Sequence, residues 1–404
     1  MPFDFQTFFT MFRLAFRDRM SPRRRTVVIA LLFLIPLFAT VNAVCMLLDR
    51  VLFPGFRRVE PRAPIFIIGH ARSGTTLMHR LMTADRRMSW FMTYEMLVPS
   101  IVQRRIIRAL GAWDRSRGGA MEKRIAAWED RTFAKGRQMH PMSLTGPEED
   151  EFVLASACMS GVWVTVFPYM RELDYLYYTD EMSPRRRRRI LAFYRQCVQR
   201  QLYLNGADRT HCSKNPTFAG KLESLIETFP DARFVVMNRN PYETIPSLLK
   251  MMERNWKASD CDRDRMSDSL ARLGRQSFHT YRYPYEVLAR HPEVAHAIVD
   301  YRDLVANPRS TVGRVYAELG LEMTAEFDEA LTLEEQRSRS HRAEHVYSLR
   351  EFGLSRDEIR DELADLFDRF GWDDDTAAGD GEPGGGEPGD GRSDDRQEKK
   401  HGSM

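Results

Sequence analysis

Residues 26 to 48, TVVIALLFLIPLFATVNAVCMLL, run for 23 positions without a charge. In the hydrocarbon of a bilayer only the segment itself can satisfy its backbone N–H and C=O groups, so such a run folds as a helix. At about 1.5 Å per residue it is long enough to cross an apolar core of about 30 Å. Its length and late start argue against a cleavable signal peptide, and no small-residue cleavage site stands out. The segment before it, FDFQTFFTMFRLAFRDRM, mixes aromatic residues with Arg13, Arg17 and Arg19, a composition suited to a helix lying in the membrane interface. Six Arg precede the apolar run, and Arg50, Arg57, Arg58 and Arg62 follow it. The positive-inside rule therefore leans toward an internal N-terminus. Pro36, near the middle, also permits a re-entrant hairpin with both flanks on one side, so the run reads as a transmembrane or re-entrant segment.

Charge is distributed unevenly around this segment. The chain of 404 residues carries a formal +3, with ten Arg against four acidic residues in positions 1–62 and ten acidic against four basic residues in positions 373–404. The middle is thus only +3, which excludes the basic footprint expected of a nucleic-acid-binding domain. Cys45, Cys158, Cys197, Cys212 and Cys261 are scattered, with no C-x-x-C pair, so neither a zinc knuckle nor a disulfide framework is indicated. After Trp372 the composition turns to Gly, Asp, Glu and Pro, the signature of a disordered tail. The organisation is therefore a basic amphipathic segment (1–25), a membrane segment (26–48), a linker (49–63), one large domain (64–372) and an acidic Gly-rich tail (373–404).

The large domain has an α/β pattern. Apolar runs at 65–69, 233–238 and 296–301 read as buried strands. Between and around them, stretches near 74–84, 148–160, 185–204, 217–228, 241–254 and 264–290 read as helices. A parallel sheet covered on both faces follows, a three-layer fold of the P-loop type. The PRRRRR run at 184–189 reads as the solvated first turns of a helix, with contact to an acidic substrate as the alternative.

The first strand runs into G69-H-A-R-S-G74-T75-T76 and then a helix. A Gly-rich bend there exposes backbone N–H groups at the positive end of the helix dipole, a cradle for phosphate or sulfate. The spacing matches G-x-x-x-x-G-K-[ST], but Thr75 stands where the phosphate-reaching Lys of a nucleotide triphosphatase belongs. A cation is offered instead by Arg72. A P-loop kinase, the competing reading, lacks its Lys here.

With these residues in view, the sequence resembles the sulfotransferases that use 3'-phosphoadenosine 5'-phosphosulfate, most closely a broad bacterial branch akin to the protein-tyrosine sulfotransferases. Arg72, Ser73, Gly74, Thr75 and Thr76 match the family's first motif, with Ala71 in place of the usual Pro. RFVVMNRNPYETIPSLLKMM supplies the second, Arg239 at a strand end and Ser247 eight residues on. KNPTFAGKLESLIETFPDARF, YRDLVANP and HPMSLTGPEEDEF are similar to three further family stretches, so the resemblance covers roughly residues 64 to 371.

The resemblance implies in-line transfer of a sulfuryl group from the phosphosulfate to a hydroxyl or amine, without a metal. It implies that Arg72 and the N–H groups of Ser73, Gly74, Thr75 and Thr76 hold the 5'-phosphate, and that Arg239 and Ser247 hold the 3'-phosphate. Lys214 then faces the leaving oxygen, the alternative being a surface Lys before an Asn-Pro turn. Glu95 matches the general base, with His140 and the group Glu148, Glu149, Asp150 and Glu151 as alternatives. Those four carboxylates are otherwise explained as the start of a helix, where they favour the dipole. His70 is either a site residue or a turn residue touching backbone, and Arg342 or His345 reaches the nucleotide if the C-terminal segment closes over it. The acceptor is open among lipid, glycan and protein; membrane tethering favours a lipid. A cytosolic donor places the domain on the cytoplasmic side in a bacterium, or in the Golgi lumen otherwise. A membrane-tethered protein that binds without catalysing is the remaining alternative.

Overall fold

The computed structural model describes residues 2–133, 143–338 and 349–373. The expectations on His140, Arg342, His345 and the tail from residue 374 lie outside the described residues. The chain divides into two units, residues 1–364 and 365–404; the sheet, its helices and the site all belong to the first.

Five parallel strands form one sheet, β1 (Ile65–Gly69), β2 (Met88–Ser89), β3 (Thr210–Lys214), β4 (Arg233–Asn238) and β5 (His296–Asp300), in the order β2-β3-β1-β4-β5. All of β1 is buried. Because side chains alternate along a strand, Phe66 and Ile68 join Phe234 and Val236 in one core, while Ile65 and Ile67 join Val235 and Met237 in another. The first core is roofed by the helices Pro184–Asn205 and Leu222–Thr228, the second by Thr75–Met82 and Pro308–Glu318. The three-layer α/β architecture is as the apolar runs imply. Central β1 lies between β3 and β4, so the chain leaves it for β2 on one flank and returns to β4 on the other. That switch point, at the carboxyl ends of the strands, is where open α/β sheets bind ligands.

Two expectations change. The helix expected over 148–160 is confined to Glu151–Ala155, because its leading carboxylates turn inward to partners on the sheet. The strand β3, THCSK, escapes an apolar pattern altogether.

Pro22–Leu52 is one uninterrupted helix of 31 residues that passes through Pro36, so no re-entrant turn forms there. One stripe (Arg24, Val28, Ile35, Ala39, Asn42, Met46, Asp49) is buried against the body, while most of the other apolar residues stay exposed. Near its start Arg24 donates to the Val166 carbonyl (2.7 Å), and the Ser21 hydroxyl donates to Asp260 (3.0 Å). Near its end Asp49 accepts from the Ser100 hydroxyl (2.8 Å), the Ile101 and Val102 amides (3.1 and 3.0 Å) and Arg200 Nε (2.7 Å). The preceding helix, Phe5–Ala15, packs Phe8, Met11 and Phe12 onto the body while Phe5, Phe9 and Phe16 stay exposed. Of the Arg run at 185–189, Arg186 pairs with Asp4 and Arg187 with Glu227 (2.6 Å), so its helical start is only partly a solvated face.

Candidate active site

The loop after β1 is shaped by three left-handed residues. Gly69 (φ 135°) has no room for a side chain, since a Cβ would stand 2.2 Å from the Met237 carbonyl oxygen on β4. Gly74 (φ 85°) ends the loop, and a Cβ there would stand 2.5 Å from Cδ2 of Tyr301. Arg72 adopts φ 72°, a conformation that costs a non-Gly residue energy and persists where surroundings impose it. The helix Thr75–Met82 begins at Gly74 without a side-chain cap. Its first backbone bond runs from Met78 N–H to the Gly74 carbonyl (3.1 Å). The N–H groups of the first turn therefore point out of the helix end without an intrahelical acceptor, as an anion cradle requires.

Arg72 and Arg239 are knotted together beside this turn. Arg72 Nε donates to Ser247 Oγ (3.3 Å), and its carbonyl accepts from Arg239 Nη1 (3.3 Å). Arg239 also grips the Glu243 carboxylate through Nε (2.9 Å) and stacks over the Tyr301 ring at 4.4 Å. Ser247 comes from the helix Pro241–Ala258 that follows β4, and Tyr301 begins the helix after β5. Four side chains from three strand ends thus converge on one spot. Behind them His70 is buried, its ring stacked on Tyr281 at 4.9 Å. Burial pushes its pKa down to about 4, so at neutral pH the imidazole is uncharged. It donates from Nδ1 to the Ala71 carbonyl (2.6 Å) and accepts from Ser277 Oγ at Nε2 (2.9 Å). His70 is the turn residue of the two readings.

Lys214 ends β3 and is only 1 % exposed. Its ammonium lies 3.3 Å from Glu149 and 3.5 Å from Glu148, so it is not a surface Lys. Burial, reinforced by the Lys214 charge, drops the pKa of His79 in the loop helix to about 4. The other two acidic residues point to further partners. Asp150 accepts from Tyr194 (2.6 Å) and pairs with His211 Nε2 (2.9 Å), while Glu151 pairs with Lys221 (3.0 Å) and accepts from Thr217 (2.6 Å). The reading of these carboxylates as a helix start holds only in part: a short helix does begin at Glu151, with Asp150 at its N-cap position, but all four side chains are drawn to β3 and the residues after it.

A family model for the sulfotransferase family matches residues 64–325. The chain belongs to the sulfotransferase family. This sulfotransferase is 27% identical, over 77% of its length and 75% of the relative's, to the omega-hydroxy-beta-dihydromenaquinone-9 sulfotransferases of Mycobacterium bovis and Mycobacterium tuberculosis. Its fold is that of sulfotransferase STF9 from Mycobacterium avium (TM-score 0.67, 19% identity, 87% of this chain and 86% of that one). It is also that of sulfotransferase STF1 from Mycobacterium tuberculosis (TM-score 0.58, 21% identity, 81% and 84%). Membership sets aside the kinase alternative and makes the chain an enzyme of sulfuryl transfer.

The structure of this sulfotransferase brings Arg72, Ser73, Gly74, Thr75, Arg239 and Ser247 into one cluster; Thr76 is exposed on the first turn of the loop helix. Glu95 has a different setting. It is completely buried, with Oε2 accepting from the Met92 amide (3.2 Å) and Oε1 from Arg108 (3.0 Å); Arg104 donates to its carbonyl (2.8 Å). Both oxygens are committed. Glu149, by contrast, keeps 29% of its side chain exposed beside Lys214. Sequence reasoning singled out neither Tyr301 nor the pairing of Lys214 with Glu148 and Glu149. The tyrosine opens the quoted YRDLVANP stretch, and Gly74 is its counterpart, a contact that no spacing rule foretells.

Proposed function

We propose that this sulfotransferase takes a sulfuryl group from 3'-phosphoadenosine 5'-phosphosulfate and transfers it to the terminal hydroxyl of a long-chain lipid held in the cytoplasmic leaflet. The observation that carries the donor is the Arg72–Ser247–Arg239 knot beside an uncapped helix start. Two guanidinium groups, a hydroxyl and a fan of N–H donors fit a nucleotide with phosphates at both ends. The N–H groups of residues 73 to 76 and Arg72 take the 5'-phosphate; Arg239 and Ser247 take the 3'-phosphate.

In the transfer, the acceptor oxygen forms a bond to sulfur as the bond from sulfur to the bridging oxygen breaks. Negative charge grows on that bridging oxygen, which leaves on adenosine 3',5'-bisphosphate. Preorganised cations at that point lower the barrier; Arg72 and Lys214 fill this role. The acceptor proton passes to a carboxylate. Glu95 is the group the resemblance assigns, and Glu149 is the one with exposed surface beside Lys214. The lipid acceptor is supported by the name of the mycobacterial relatives and by the apolar N-terminal helix.

The test is transfer of radiolabelled sulfate from the phosphosulfate to lipid extracts by the full-length protein. A labelled lipid is expected, and Arg72→Ala and Arg239→Ala should each lose about 10²- to 10³-fold in rate or more with an unchanged melting temperature. Full activity in either variant, or label found only in polar extracts, would overturn the corresponding part of the proposal.

A further inference from the structure

Between Glu95 and the carboxylates at Lys214 the chain makes a long excursion that the reaction does not account for. It comprises the helices Ile101–Ser116 and Ala120–Phe133, joined at Gly118 and Gly119, both with positive φ (95° and 68°). The first helix is anchored at its base, where Arg104 and Arg108 hold Glu95 and where Asp49 of the N-terminal helix caps residues 101 and 102. Beyond Arg108 it buries only Asp114, whose carboxylate accepts from the amides of Met121 and Glu122. None of residues 120–131 is buried. The returning chain pairs again beside Glu95, with Tyr94 N–H donating to the Leu144 carbonyl (3.0 Å) and Thr93 N–H to that of Gly146 (3.1 Å). The arm therefore starts beside Glu95 and returns just ahead of Glu148 and Glu149, the partners of Lys214.

Its apolar residues are ordered. Ile106, Leu110 and Trp113 recur at helical spacing on the first helix, as do Met121, Ile125 and Trp128 on the second, and all six are exposed. Eight basic against four acidic residues lie in positions 101–133, with Arg124 and Arg131 bordering the second stripe. Apolar stripes carrying Trp and flanked by Arg are the pattern of helices that lie in the interface of an anionic membrane. The base of the arm packs on Pro22–Leu52, where Gln103 donates to Asn42 (2.9 Å), and both elements carry exposed apolar residues. Both ends of that helix are fastened to the same body, through Arg24 and Ser21 at one end and Asp49 at the other. A helix crossing a bilayer separates its ends by the full apolar thickness, which a water-soluble body cannot bridge.

We propose that the arm and the outer faces of the N-terminal helices form a seat by which the enzyme rests on one anionic leaflet, and that the arm guides a bilayer-resident acceptor to the sulfuryl group. The second half rests on the lipid-acceptor reading above; the seat does not. The test uses the full chain with vesicles of equimolar phosphatidylcholine and phosphatidylglycerol, the former brominated on its acyl chains. Tryptophan fluorescence should be quenched on binding, and the Trp113→Phe/Trp128→Phe variant should lose most of that quenching. Trp113→Glu/Ile125→Glu should weaken vesicle binding about tenfold or more while keeping the melting temperature. In protease protection, tags at the two chain ends should lie on the same side. Absent quenching, unchanged binding, or tags on opposite sides would overturn the seat. So would a dimer in detergent that the Glu variant dissolves, since a second copy would then own the surface. Quenching and binding without any sulfated lipid would overturn the guiding role alone.

Discussion

The proposed donor end and the proposed membrane seat of this molecule are built on opposite terms. At the donor end, polar groups are buried and matched: His70 on Tyr281, Lys214 between two carboxylates, Asp150 with Tyr194 and His211. At the proposed seat, apolar groups are exposed and neighboured in sequence by Arg. In water each is costly, since a buried charge needs a partner and an exposed apolar stripe needs a cover. The first cost is met inside the chain. On the seat proposed above the second falls to the bilayer, so function at one end would depend on rigidity and at the other on surroundings.

The contrast can be broken most forcefully at the carboxylates where the two ends meet. Glu149→Gln should lower the transfer rate by about 10²- to 10⁴-fold with little change in melting temperature if it is the base. Glu95→Gln should then act mainly on stability and on the arm, because it loosens Arg108. A reversed outcome, a rate collapse in Glu95→Gln alone, would move the chemistry to the arm's root. Gly74→Ala is the next largest. Its methyl meets Tyr301 in a left-handed conformation, so a loss of about 1 to 3 kcal/mol is expected, read as weaker nucleotide binding by calorimetry with vesicle binding untouched.

The smallest effect is that of acid. His70 and His79 are held near pKa 4 by burial, below the unfolded value of about 6.5. Between these values the unfolded chain binds more protons than the folded one, so stability is full above the upper value and falls as pH drops toward 4. From pH 7 to pH 5 each imidazole should cost about 1 to 2 kcal/mol. Hydrogen exchange at pH 5 should show the donor end loosening before the arm, which carries no His in positions 101–133. Equal loosening of both would refute the division.

Legibility in the sequence follows the same line. β1 and β4 were visible because burial on both faces demands unbroken apolar runs, and the loop was visible because its chemistry is local. β3 was hidden by His211 and Lys214, polar residues that burial tolerates only because acidic residues some 60 positions earlier reach them. Local patterns carry no trace of such pairings, which is why the four carboxylates read as a helix start. The arm was missed for a different reason. A period of three and four residues says that a helix has an apolar face, but not whether protein or lipid will meet it.

The knot at Arg72 sets a ruler. Because one residue donates to Ser247 and accepts from Arg239, the gap between the two proposed phosphate grips is fixed by hydrogen bonds rather than by loop length. On the proposed function, a nucleotide charged at only one end would fill half the gauge, so discrimination among adenine nucleotides would be a measurement of length.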